Sequence, residues 1–300
     1  MNIKILNHLQ NNASSLGTIQ VLAGAFMISF SAVFVKLAHV SPTSSAFYRV
    51  FFGGIFLILF VLISRHKLRV GWKPFGLIGL CGLFFAVDLA LWHRSVLYVG
   101  PGLSTILANF QVFFLGAFGI IVLKETLTLR YLASVPLALC GLALIVGLDW
   151  SLLELNYKIG LLLGVLTALA YSSYLLTLRK LQSIYQTLSS YTAVALISLI
   201  TALMLAFKVS AEGTSFRIPD LQSWIVLPAY GFIGQGLGVV FIAKGIARIR
   251  ASRAGLILLL QPTLSFIWDI LFFHRPTDLW DIMGALMAII AIYLGSVRSS

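Results

Sequence analysis

Charge is what this sequence has least of, and acid least of all. Nine Asp and Glu stand among 300 residues, and charged residues make up 10%. Soluble domains carry about 25% charged residues, so this chain lacks the means to clothe a water-soluble surface. There are two cysteines, Cys81 and Cys140, each inside an apolar run. They exclude a disulfide framework and offer no metal-ligand spacing. No HExxH, GxSxG, CxxC or GxxxxGK[ST] pattern occurs, which excludes those hydrolytic and redox classes and ATP-driven transport by this chain alone. No run carries the dense acidic motif of a metal-dependent membrane transferase, and the last apolar run has no Lys for a retinal Schiff base. The opening MNIKILNHLQNNASSLG has no apolar core before a small-residue cleavage site. No cleaved signal is expected, and the first span serves as an uncleaved one. The longest polar loop, 208–221, is too short for a soluble domain.

What is there is apolar. Hydrophobic residues are 60% of the chain and the mean hydropathy is +1.00. The apolar runs are continuous rather than alternating, so they read as helices and not as barrel strands. A bilayer core of ~30 Å needs about 20 helical residues. Ten segments qualify: 17–38, 44–64, 74–98, 101–123, 129–148, 157–178, 188–207, 222–245, 252–273 and 279–297. The excess of 21 Lys and Arg, a net charge of +12, falls mainly in the connections. That placement points to a positive cytoplasmic face rather than to nucleic acid. With the N-terminus inside, fourteen Lys and Arg lie on the cytoplasmic side and six on the other, with Arg49 within a span. Both termini are then cytoplasmic.

One stretch, 99–125, opens on Pro101-Gly102, carries Asn109 and Gln111 midway and closes on Lys124-Glu125. A stretch of the same plan recurs at 249–275, with Gln261 opposite Gln111. Five spans per half is an odd number, so a repeated half must run inverted, and equivalent connections should differ in charge. They do: the connection between spans 3 and 4 has Arg94 alone, and its counterpart has Lys244, Arg248, Arg250 and Arg253. The expected architecture is all-α and membrane-integral, with ten transmembrane helices in two inverted five-helix repeats around a central cavity. Its parts are a cytoplasmic segment 1–16 and repeats at 17–148 and 157–297. Inverted repeats place a substrate site at mid-membrane between the halves.

Polar groups within the spans are the candidate site. Asp88, the deepest acid, costs about 2.5–3.5 kcal/mol if ionised in lipid; it serves a substrate ammonium, a proton or a structural pair. Arg49, near the end of its span, is placed to hold an anionic group, to pair with Asp269 as a gate, or to snorkel outward. Lys36, His93 and Arg94 read as interfacial. The amides Asn109, Gln111, Gln235 and Gln261 need partners inside the bundle, and Pro262 frees a carbonyl beside Gln261. The aromatics Trp92, Tyr171, Tyr174, Tyr230 and Trp268 lie within spans, either packing there or lining an amphipathic pocket.

With this plan the chain resembles the drug/metabolite transporter superfamily, EamA branch. The resemblance rests on ten spans in two halves and a length near 300. It rests also on Ser41-Pro42 and Arg49 entering span 2, and on Lys124-Glu125 before a Gly/Ala/Leu-rich span 5. Two departures stand out: His274-Arg275-Pro276 replaces the usual second acidic turn, and Val112 stands opposite Pro262. The resemblance implies spans 3, 4, 8 and 9 at the centre, with 5 and 10 at the periphery as scaffold or dimer surface. It implies alternating-access export or exchange of small organic metabolites, such as amino acids, across the bacterial inner membrane. The implied cavity residues are Asp88, Trp92, Asn109, Gln111, Tyr171, Tyr174, Gln235, Gln261 and Trp268. The implied partners are a small-molecule substrate, the bilayer, a coupling proton and a second copy of the chain; no cofactor is implied. A lipid-modifying enzyme or a non-transporting scaffold is the alternative.

Overall fold

The computed structural model describes residues 3–66, 70–126, 128–146, 154–274 and 277–296. The described residues are helical, with no strand among them. In order they form α1 (Ile3–Ser29), α2 (Ser31–Leu37), α3 (Pro42–Ile63), α4 (Trp72–Ala108), α5 (Gln111–Ile121), α6 (Leu129–Val146) and α7 (Leu155–Ile184). There follow α8 (Ser190–Ala211), α9 (Leu221–Tyr230), a π-helical segment Gly231–Gly238, α10 (Val239–Ile246), α11 (Ala251–Leu258), α12 (Leu260–Phe273) and α13 (Leu279–Ser296). Seven segments are long and apolar enough to cross a bilayer, and three shorter apolar helices, Gln111–Ile121, Leu129–Leu144 and Leu279–Leu294, accompany them.

The boundary expected at residues 99–100 is a bend, not a gap. The helical backbone of α4 runs unbroken for 37 residues. Yet the Ser104 hydroxyl donates to the Trp92 carbonyl at 3.4 Å, although twelve residues of straight helix span ~18 Å. The chain therefore folds back on itself between Trp92 and Ser104.

The real breaks lie deeper. The helix after the bend is interrupted at Asn109–Phe110, and α11 gives way to α12 at Leu259, 150 positions later. Tight bonds of the i to i+3 kind close both breaks: Val112 N–H to the Asn109 carbonyl, and Leu259 N–H to the Leu256 carbonyl. The helices α6 and α13 start at the same offset, at Leu129 and Leu279.

Packing runs mostly between the first and second halves. α4 packs on α7, α13 on α6, α3 on α8, α1 on α10, and α5 on α11. The main core joins Val21, Val50, Ile78, Tyr174, Leu178, Val194 and Ile242 across these pairs, while α6 and α13 share a smaller cluster around Val135, Ala138 and Ala291. The π-helical segment reads GFIGQGLG. Four glycines let its backbone widen and lie flat against α1 and α3.

Candidate functional site

A cavity of about 620 Å³ opens where the helix breaks meet. Its walls come from α1 to α7, α9, α10 and α12, that is, from both halves. At its inner end Phe85 stacks on Tyr174, with ring centroids 4.7 Å apart. At the other end lie the exposed Lys36 and Pro42, which mark the mouth. Beyond the inner end, α11 is buried along almost all its length and contributes nothing to the lining. The cavity is open at one end and sealed at the other.

Nine sequence candidates line this space: Arg49, Asp88, Trp92, Asn109, Gln111, Tyr171, Tyr174, Tyr230 and Gln261. α4 presents Asp88 and Trp92, one helical turn apart, on a single face. The two amides flank the helix breaks, Gln111 opening α5 and Gln261 in the first turn of α12. Several polar atoms here are buried without a partner: Gln111 Oε1, Gln261 Nε2, the Tyr174 hydroxyl and Arg49 Nε. Buried orphans of this kind are rare and call for a ligand or water.

Arg49 is deeper than its place in the sequence suggests, at 9% exposed. Its guanidinium lies 5.3 Å from the Tyr230 ring centroid and 5.8 Å from that of Phe85, and it donates to the Tyr230 hydroxyl at 3.3 Å. Asp88, 8% exposed, feels the Arg49 charge but makes no hydrogen bond or ion pair with it among the described contacts. A guanidinium and a carboxyl group thus face one cavity without direct contact.

Two candidates sit elsewhere. Gln235 is fully buried in the π-helical segment and donates to the Ser198 hydroxyl at 2.8 Å. It ties that segment to α8, and its Cβ and Cγ pack against Gly53. Trp268 donates to the Ser29 hydroxyl at 2.7 Å and stacks on Phe30 at 4.5 Å. It clamps the break between α1 and α2, whose freed Ser29 carbonyl also accepts from Ser265. The side chain of Asp269 lies outside the described residues.

The cavity also recruits groups that periodicity could not single out. His93, expected at the interface, is instead buried against the cavity and holds the Leu89 carbonyl at 2.5 Å. Thr105, Thr167, Ser31 and Ser265 add hydroxyls. Thr167 bonds the Leu163 carbonyl of its own helix at 3.0 Å, and a hydroxyl held in this way sits on an apolar helix without a sequence signal.

The sequence profile of the EamA-like transporter family matches residues 15–147 and again 158–297. Two Bacillus subtilis (strain 168) proteins are similar along nearly the whole chain. The uncharacterized transporter YyaM is 22% identical over 299 residues, covering 97% of this chain and 95% of its own. The uncharacterized transporter YvbV is 24% identical over 269 residues, covering 88% and 85%. A solved crystal structure superposes with a TM-score of 0.80 at 17% identity, over 93% of this chain and 97% of its own.

Proposed function

Given that the chain belongs to the EamA-like transporter family, within the drug/metabolite transporter superfamily, and is a transporter rather than an enzyme, we propose that it moves small zwitterionic metabolites, such as amino acids, by alternating access. The observation that carries this reading is the pair Arg49 and Asp88. Both are buried, both face one cavity, and neither is spent on the other. A carboxylate suits Arg49 and an ammonium suits Asp88, while the aromatic inner end takes an apolar side chain. One buried Arg beside an acid, with Lys36 out at the mouth, is a poor site for a phosphorylated substrate, which would gather several cations.

In this reading the chain has ten membrane helices in two inverted five-helix halves. The matching breaks at Asn109–Phe110 and Leu259 support it, as do the matching starts of α6 and α13. The sealed end carries Lys124, Arg179 and Arg250. By the positive-inside rule it faces the cytoplasm, with both termini. The described conformation is then outward-open, in the bacterial inner membrane, and transport is export or exchange. A proton bound at Asp88 is the proposed coupling ion, and the outer faces of α6 and α13 the proposed contact with a second copy.

The test is uptake of radiolabelled amino acids into proteoliposomes, with analogues lacking the carboxylate or the amine as competitors. Arg49→Met should weaken competition by the zwitterion roughly ten- to a hundred-fold while sparing the decarboxylated amine; Asp88→Asn should spare the deaminated acid instead. Equal losses for all three ligands in both variants would refute the assignment. Uptake by Asp88→Asn that stays unchanged at every pH would remove the proton.

A further inference from the structure

The sealed end is held by one carboxylate that no part of the substrate site uses. Lys124, with φ of +52°, turns the chain just past α5, and the Glu125 N–H bonds back to the Gly119 carbonyl at 2.8 Å. A left-handed lysine is uncommon, and here it aims Glu125 at the other half of the molecule. Glu125 accepts the Ala251 N–H at 2.9 Å and the Ser252 N–H at 3.3 Å, and its second oxygen also takes the Ser252 hydroxyl at 2.7 Å. These donors open α11, so the carboxylate also meets the positive end of that helix. Arg250 reinforces the contact through the Thr126 carbonyl at 3.0 Å.

The opposite end has no chemical means to copy this arrangement. At positions 150 residues away, Ala251 is matched by Pro101, which has no N–H, and Ser252 by Gly102, which has no hydroxyl. Glu125 is matched by Arg275, a donor in place of an acceptor. The two ends of an otherwise repeated plan therefore differ in every group that makes the contact.

We propose that Glu125 is the positioning residue of the transport cycle: a one-sided latch that holds α11 closed and sets the resting protein with its mouth open. It must release Ala251 and Ser252 whenever the cavity opens the other way. The proposal rests on the alternating-access reading. The uptake assay tests that reading, and the test below needs no substrate, so the two can fail separately.

The experiment uses the full chain in nanodiscs with Cys81→Ala and Cys140→Ser, and one reporter at a time, Ala254→Cys at the sealed end or Val35→Cys in the mouth. A hydrophilic maleimide reads the accessibility of each. Glu125→Ala should speed labelling at position 254 by roughly ten- to a hundred-fold and slow it at position 35, because the two openings alternate. Ser252→Ala should act in the same direction with a smaller change, and it carries the test if Glu125→Ala does not fold. Unchanged labelling at position 254 would overturn the proposal. So would faster labelling at both positions, which marks general loosening rather than a shifted equilibrium.

Discussion

Gly53 shows how little slack the bundle leaves at a single residue. A Cβ there would stand 2.5 Å from the Gln235 Cβ and 2.9 Å from the Gly231 carbonyl oxygen. Backbone and a fully buried side chain cannot both yield, and overpacking of this kind costs about 1–3 kcal/mol. Gly53→Ala should lower the thermal midpoint in detergent. Gly76→Ala is the control, because nothing lies within 4 Å of its Cβ; it should be neutral or slightly stabilising through helix propensity. Arg49 makes the complementary point. The residues around it close it in: Ser44 donates to the Ser215 carbonyl at 3.0 Å and Tyr48 to the Phe216 carbonyl, drawing the loop after α8 over the start of α3. Sequence position placed Arg49 near a membrane surface; its neighbours decide that it faces the cavity.

At the scale of elements, ends and breaks carry more than lengths do. Ser41 caps α3 by accepting the Ser44 N–H at 3.1 Å, with Pro42 at the first turn. Asp220 caps α9 by accepting the Ser223 N–H at 2.7 Å, and its other oxygen meets the His39 ring at 2.7 Å. The Ser223 N–H, and after it His39, holds the Asp220 carboxyl below the usual carboxylate range. A folded value below the unfolded one stabilises above the unfolded value, near ~3.9, and that contribution disappears as pH falls through the folded value. The thermal midpoint should therefore drop on acidification below about pH 4. Asp220→Asn keeps a capping oxygen but cannot titrate, so its midpoint should fall less steeply over the same range. Equal slopes for the two proteins would remove Asp220 from the acid response.

At the scale of the whole molecule, the two halves complete each other. α4 on α7, α3 on α8, α6 on α13 and α1 on α10 are all contacts between halves. Neither half alone covers the polar face that lines the cavity, and an uncovered polar face in lipid is costly. Residues 1–150 and 151–300, expressed together as separate chains, should associate and co-purify from membranes, whereas each alone should aggregate or be degraded. A monodisperse, stable single half would contradict this.

The sequence was enough for the class of the molecule. Sparse charge and continuous apolar runs require helices in a membrane, because only a helix satisfies its backbone bonds within one segment there. The lopsided loop charges and the recurrence of the 99–125 plan pointed to two halves, and polarity within the spans marked Asp88, Gln111 and Gln261. Facing was left open. Helical periodicity blurs when nearly every position is apolar, so nothing in the string separated Gln235, which ties two helices, from Gln261, which meets the cavity. The fold-back of α4 between Trp92 and Ser104, the clamp of Trp268 on Ser29 and the reach of Glu125 to Ala251 and Ser252 join residues between 12 and 239 positions apart. Such contacts depend on how the helices cross, and only packing decides that.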